Sequence, residues 1–321
     1  MSQDFIIQCY VPAVSRFGLL TINSDTQMKH TVCPQGFLVI HRGTTTIAIR
    51  ETYCNDLLQQ GIENPEKLMQ GCQSNHRALL GRGVTPVIPI QARNQEKMVI
   101  RKCRRGGLLR FFIPDVYWGE RRLFKELRVA TDAFNSGIPT APILAAVTER
   151  VAGPFYKAYL ISSELPSAAH LPAVFAAVAM SAGREGFCRK RILLAKVAQA
   201  IRLMHDRGFF HGDLNLKNIL IDTHHDDRVY ILDWDKSRHK KQLNHTERSR
   251  NVLRFCRSMM KLREQGLAVT ERDQLFFLRA YWGDNKQLMK RLRKDYMRVK
   301  LSVSARKIRW KIEKLFDRKK Q

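Results

Sequence analysis

Residues 211–218 read His-Gly-Asp-Leu-Asn-Leu-Lys-Asn, and residues 232–235 read Leu-Asp-Trp-Asp. Moving a phosphoryl group onto a hydroxyl needs little covalent help. It needs an aligned acceptor and neutralised phosphate charge. An Asp on a loop can accept the hydroxyl proton, and an Asn five residues later can face a metal ion from the same loop. A second Asp, brought back by a hairpin, can hold Mg²⁺ across two phosphates. Asp213, Asn218 and Asp233 stand in those positions, and their hard oxygen ligands suit Mg²⁺, which keeps several waters and needs few protein groups. The bland alternative is a polar loop whose Asp and Asn cap turns. The loop's length, the hairpin signal after it and the Asp-Trp-Asp weigh against that alternative. His211 reads as a structural histidine bracing the loop, neither base nor ligand.

The order matches the kinase pattern of H-x-D-x-x-x-x-N followed by D-[FW]-x. An upstream region should then roof a nucleotide. Gly81 and Gly83 of Gly81-Arg82-Gly83 would let backbone N–H groups approach phosphates, although a lone G-x-G is equally an ordinary turn. Arg101 ends an apolar run, where kinases place the lysine that contacts the α- and β-phosphates. Glu126 falls on the following helix, where that residue's carboxylate partner belongs. Taken singly they read as a solvated Arg and a surface Glu; their order and spacing before the catalytic loop favour the pair. Arg104 and Arg105, beside Gly106-Gly107, would suit a carboxylate or phosphate, or form a solvated basic turn.

The elements that must position these residues follow from periodicity. Phe37–His41 and Thr45–Arg50 predict a strand pair inside a structural, β-rich extension over residues 1–75. Extended segments are predicted at Thr85–Ile90, Glu96–Arg101, Pro142–Val147 and Phe155–Ser162. A helix over about 119–135 carries Leu123, Leu127, Ala130 and Phe134 on one face and stops at Asn135-Ser136-Gly137. Residues 163–186, rich in Ala, Pro and Gly, predict a connection between two lobes. A helix over about 187–207 shows Leu194, Val197, Ala198 and Ile201 at helical spacing. Ile219–Ile221 and Val229–Leu232 flank a turn and read as a hairpin, and the rest is helical and increasingly basic. The expected fold is α+β: a bilobal, protein-kinase-like chain with a small, mainly β lobe over 76–165 carrying one helix. A larger, mainly helical lobe follows over 166–283, and a basic segment over 284–321.

The chain has 321 residues, room for two lobes with sizeable cores. Lys+Arg 56 against Asp+Glu 29 gives a net charge of +27, which must meet something anionic. The 7 cysteines are dispersed without a C-x-x-C pair and read as free thiols in a reducing compartment. The N-terminal residues lack signal-peptide features, and the most apolar stretch, Leu171–Met180, is too short to span a bilayer and carries a proline. These features predict a cytoplasmic protein. Residues 284–321 are densely basic, with Ile308, Ile312, Leu315 and Phe316 on one helical face. Such a segment suits an anionic membrane surface or a final helix packed on the large lobe. No sequence pattern supports nucleic-acid binding.

Arg101–Leu108, Gly137–Pro142, Phe210–Leu220 and Ile231–Lys236 together resemble the Kdo kinases of the lipopolysaccharide kinase family. The likeness runs over about residues 76–282, including the basic helix at Arg248–Arg263, with Trp234 where Phe is more usual. It implies a kinase-like fold and an ATP- and Mg²⁺-dependent kinase for the 4-hydroxyl of a 3-deoxy-D-manno-octulosonic acid (Kdo) residue on lipid A. The setting it implies is the cytosolic face of the inner membrane. It also implies Asp213 as catalytic base, Asn218 and Asp233 as metal ligands, and Arg101 with Glu126 as the nucleotide-positioning pair. Arg104, Arg105, Asn215 and Asp235 remain candidates for contact with the acceptor. H-G-D and L-D-W also occur in aminoglycoside-type phosphotransferases, but those enzymes favour acidic pockets for cationic drugs, whereas this chain is basic. A kinase for another small molecule, glycan or protein, and a non-catalytic kinase-like scaffold, stay open at this point. The intact Asp213, Asn218 and Asp233 argue against the scaffold.

Overall fold

The computed structural model describes residues 33–71, 85–103, 116–180 and 183–283, together with residues 294, 296 and 297. The first part is built on a sheet that is seven-stranded among the described residues, with strands β1 (Phe37–Arg42), β2 (Thr45–Arg50), β3 (Val87–Pro89), β4 (Lys97–Lys102), β5 (Tyr117–Trp118), β6 (Ile143–Ala152) and β7 (Phe155–Ser163). Their order is β1-β2-β6-β7-β4-β3, with β5 pairing β7. Every pairing is antiparallel, and the β6–β7 hairpin at the centre runs from Ile143 opposite Ser162 to Ala152 opposite Phe155.

The expected strand pair near residues 37–50 is therefore present but does not stand apart as an extension. β2 pairs with β6 from Thr45 opposite Glu149 to Ile49 opposite Ala145, so both strands belong to the small-lobe sheet. Helices α1 (Cys54–Gln59) and α2 (Pro65–Gly71) follow β2. α3 (Arg121–Asn135) is the one helix among the described residues of 76–165, as expected, and α1 and α2 precede that span.

Period-two alternation sends β4 side chains to two different layers. Met98 and Ile100 join Ile47, Ile49, Tyr159 and Ile161 in a cluster with Leu57 of α1 and Ile62. Arg101 lies on the opposite face, with Cys103, Ala158 and Leu160. That face is covered by Leu123, Leu127 and Ala130 of α3. Each such aliphatic side chain, once buried, contributes about 1.5–3 kcal/mol before entropy is counted. Phe134, predicted to complete the stripe, is instead 40% exposed, with the Arg50 guanidinium over its ring at 5.9 Å. α3 stops where expected. Gly137 takes φ +74°, and its N–H and that of Ile138 return to Phe134 O and Ala133 O.

The stretch expected as a plain connection contains β8 (Ala168–His170) and α4 (Leu171–Met180). Ala is the best helix former, and Pro172 is tolerated in a first helical turn, so a composition that looked like a linker folds instead. Val174 and Phe175 bury the inner face of α4. The larger part continues with α5 (Arg184–Asp206), β9 (Phe209–Phe210), β10 (Ile219–Asp222), β11 (Arg228–Ile231), β12 (Arg238–His239), α6 (His245–Glu264) and α7 (Glu271–Trp282). β10 pairs with both β11 and β8, and β9 pairs with β12. α6 and α7 each begin with a capping box, Asn244 with Glu247 and Thr270 with Asp273. Leu194, Val197, Ala198 and Ile201 of α5 are all fully buried, as their spacing predicts. They share one continuous core with Ile219, Ile231, Phe255 and Phe277, and with the inner face of α3.

Candidate active site

The loop after β9 is held by hydrogen bonds that its own sequence supplies. The buried His211 ring donates from Nε2 to Leu232 O (2.9 Å), while its Nδ1 accepts the Asp213 N–H (3.1 Å). That pairing requires the neutral tautomer, and burial lowers the imidazole's pKa in the same direction. The Asn215 and Asn218 amides both donate to Asp213 O, at 2.8 and 2.9 Å, and Asn215 Oδ1 caps the short 3₁₀ turn Leu216–Asn218 by accepting from Lys217 N. Asn218 is thereby turned so that its amide nitrogen is engaged. Its amide oxygen takes no hydrogen bond among the described residues. Leu232 N–H donates to Asn218 O at 2.9 Å, so one relay joins His211, Asp213, Asn218 and the residue before Asp233.

Gly212 has a steric reason. A Cβ there would lie 2.5 Å from the Lys236 carbonyl carbon and oxygen, so only glycine allows the two loops to touch. Its N–H donates to Ser237 Oγ at 3.0 Å. Across that contact Asp233 adopts φ +66°, a left-handed conformation that Asp tolerates better than most residues. Trp234 fixes the turn. Its ring packs edge-on to Phe209 and tilted against His211, and Nε1–H donates to Thr140 Oγ1 at 2.9 Å. The β11 end is tied to the same segment by Ile231 N–H to Pro139 O. The Gly137–Pro142 run thus braces the Asp233 loop.

Two arginines join the small lobe to that loop. Arg101 of β4 bridges Glu126 Oε1 and, at 3.0 Å, Asp233 Oδ1. Glu126 is 5% exposed because it falls within the apolar stripe of α3, between Leu123 and Leu127. Burial pushes its carboxyl up to about 6, while the Arg101 guanidinium pulls against that rise. Burial also opposes the Arg101 charge, but Glu126 and Asp233 outweigh it and hold the guanidinium fully protonated. One turn earlier on α3, Arg122 forks onto both oxygens of Asp235, with Nε to Oδ1 at 2.8 Å. Burial alone would raise the Asp235 carboxyl; Arg122 holds it below the ordinary carboxylate range.

A third support comes from α6. Asn251, Arg254 and Ser258, three and four residues apart, share one face of that helix. Asn251 brackets His211, accepting its N–H at 3.1 Å and donating to its carbonyl at 2.7 Å. Arg254 Nη2 donates to Asp213 Oδ1 at 2.5 Å, and Ser258 Oγ accepts Leu216 N–H at 3.2 Å. Behind Asn251 stands His205 of α5, which donates from Nε2 to Asn251 Oδ1 (2.9 Å) and pairs through Nδ1 with the Tyr281 hydroxyl of α7 (2.5 Å). Burial pushes the His205 imidazole down to about 4.

The structure thus brings together Asp213, Asn215, Asn218, Asp233, Asp235, Arg101 and Glu126. Gly81, Gly83, Arg104 and Arg105 lie outside the described residues, as does the basic amphipathic segment over 284–321 apart from residues 294, 296 and 297. Asp235, expected among the acceptor contacts, has its carboxylate occupied by Arg122. The sequence reading missed Arg122, His205, Asn251, Arg254 and Ser258. The one available signal was a polar residue, Asn251, set among Val252, Phe255 and Cys256 on the buried face of α6. Among the described residues no group of three or more His, Cys, Asp or Glu side chains forms a metal cluster. The unengaged Asn218 amide oxygen and the Asp233 carboxylate are hard donors, and two such groups suit a divalent ion whose remaining ligands are water and phosphate. A phosphorylated ligand under β4, a metal beside it and a hydroxyl at Asp213 would complete this arrangement chemically.

Residues 81–281 match the model of the lipopolysaccharide kinase (Kdo/WaaP) family. A 3-deoxy-D-manno-octulosonic acid kinase of Vibrio parahaemolyticus is 31% identical over 198 residues, covering 60% of this chain and 76% of that protein. One from Vibrio cholerae is 32% identical over 186 residues, covering 56% and 72%. Among solved structures, WaaP in complex with acyl carrier protein superposes with a TM-score of 0.50 at 16% identity, over 79% of this chain and 98% of that one, a likeness in fold.

Proposed function

Because this chain belongs to the lipopolysaccharide kinase (Kdo/WaaP) family, and is thus a phosphotransferase acting on a sugar hydroxyl, we propose that it transfers the γ-phosphoryl group of ATP to the 4-hydroxyl of a lipid A-linked Kdo residue. The observation that supports this reading is the hydrogen-bonded relay linking His211, Asp213, Asn218 and Leu232, the residue before Asp233.

Asp213 orients the acceptor hydroxyl and takes its proton as the new oxygen–phosphorus bond forms. The bond from the γ-phosphorus to its bridging oxygen breaks, and ADP leaves with that electron pair. Asn218 and Asp233 would hold Mg²⁺, which supplies charge neutralisation on the phosphates when bound. Arg101, steadied by Glu126, contacts the nucleotide phosphates, and Arg122 keeps Asp235 from competing for the same charges. Gly81 and Gly83 approach the phosphates through their backbone, and Arg104 and Arg105 meet the anionic acceptor. The net charge of +27 and the basic segment over 284–321 support work at the cytosolic face of an anionic inner membrane, where a lipid-linked acceptor is met. No helix among the described residues is long and apolar enough to cross that membrane.

The acceptor is tested by incubating the protein with ATP, Mg²⁺ and Kdo-bearing lipid A precursor, beside the same lipid without Kdo, and locating the phosphate by phosphorus–proton NMR. The expected product carries phosphorus coupled to the proton at carbon 4 of Kdo. Phosphate on the lipid A backbone, or equal labelling of both lipids, contradicts the assignment.

A further inference from the structure

We infer that Arg254 makes this enzyme selective for an acidic sugar, by holding the acceptor's carboxylate beside Asp213. The inference rests on the proposed function. It adds the group that recognises the acid.

Among the described residues four carboxylates line this region, Glu126, Asp233, Asp235 and Asp213, and each is paired with an arginine. Arg101 serves Glu126 and Asp233, and Arg122 serves Asp235. An acceptor bringing a carboxylate of its own toward Asp213 meets like charge unless a cation stands on that side. Arg254 is that cation. Its Nη2 reaches Asp213 Oδ1 at 2.5 Å, which places the guanidinium within one side chain of the reacting hydroxyl.

Among the described residues, the remainder of the guanidinium takes no further hydrogen bond or ion pair. Arg254 is 47% and Asp213 42% exposed at the side chain, and a pair so exposed contributes little to stability. A guanidinium carries five N–H donors in a planar fork, of which Asp213 takes one. The fork matches a carboxylate edge, and a lysine would not. Its base is rigid, because Asn251 and Ser258 on the same helix face are anchored to the catalytic loop. No acid on α6 competes for it. Glu247 is taken by Arg238 and Lys240, and Glu264 lies almost three turns further on.

The test compares Kdo-bearing lipid A precursor with its carboxyl methyl ester, in wild type, Arg254→Gln and Arg254→Lys. Charged hydrogen bonds of this kind correspond to roughly 10- to 100-fold in kcat/KM. The wild type should prefer the acid over the ester by about that factor. Arg254→Gln, which also loses its contact with Asp213 and so slows both acceptors, should lose most of the preference, its kcat/KM on the acid falling about 10- to 100-fold further than that on the ester. Arg254→Lys should keep an intermediate preference, and it decides the matter should Arg254→Gln fail to fold or turn over. A preference retained at the wild-type value in either active variant overturns the inference while leaving the proposed function intact, since a purely structural arginine affects both acceptors alike. Equal use of acid and ester by the wild type likewise overturns it. Absence of turnover on both acceptors by the wild type overturns the proposed function, and the inference with it.

Discussion

His205 donates to Asn251 and pairs with the Tyr281 hydroxyl, and Asn251 in turn holds both backbone polar groups of His211. Its charged form is disfavoured on folding, with the imidazole lowered from 6.5 to about 4. Between those values the unfolded chain binds the proton and the native one does not. This histidine's contribution is therefore complete above pH 6.5 and is lost as pH falls toward 4, amounting to about 3 kcal/mol at the lower end. His205→Gln preserves a donor toward Asn251 and an acceptor toward Tyr281 without the titration. Urea midpoints measured from pH 7.5 to 4.5 should fall less steeply in the variant than in the wild type; parallel slopes would show that His205 does not control acid stability. The residues proposed to do chemistry, Asp213, Asn218 and Asp233, were singled out by type and order alone. His205 was not, because its partners sit on two other helices and no local spacing announces them.

At the scale of elements, the small lobe is joined to the Asp233 loop by two arginine contacts, Arg101 to Asp233 and Arg122 to Asp235. Arg122 on the first turn of α3 grips Asp235, and one turn on, Glu126 of the same helix meets Arg101. The pair thus sets how α3 presents Glu126 to Arg101 of β4. Arg122→Gln and Asp235→Asn should each raise KM for ATP by roughly tenfold, equivalent to about 1.4 kcal/mol, with KM for the acceptor unchanged. Combined, they should raise it little further, since both remove one contact. Fully additive effects, or a rise in acceptor KM alone, would contradict this role and return Asp235 to the acceptor. The order of β4, α3, catalytic loop and hairpin was readable from periodicity and turn residues. The stripe Asn251–Arg254–Ser258 was not. On a helix as basic as α6, a functional arginine has the same spacing as a solvated one, and only the catalytic loop packed against it tells them apart.

For the molecule as a whole, the non-local pairings were the hidden part. β2 finds β6 about a hundred residues later in the chain, so residues 37–50, which looked like an appendage, are half of one edge of the small-lobe sheet. Likewise the run taken for a linker at 163–186 holds β8, which completes the β10–β11 sheet of the larger lobe. What the sequence did carry was the passage from a β-rich to a helical part and the strong positive charge, and the charge agrees with membership of the lipopolysaccharide kinase (Kdo/WaaP) family. The whole account depends on the fold delivering an acceptor hydroxyl, ATP and Mg²⁺ to Asp213. The most direct measurement is mass spectrometry of Kdo-bearing lipid A precursor after incubation with ATP, Mg²⁺ and either wild-type protein or Asp213→Asn, with thermal melts of both. The account predicts one added phosphate with the wild type, a loss of about 10²-fold or more in the variant, and melting temperatures within about 2 °C of each other. Phosphorylation at the wild-type rate by a folded Asp213→Asn protein would contradict it.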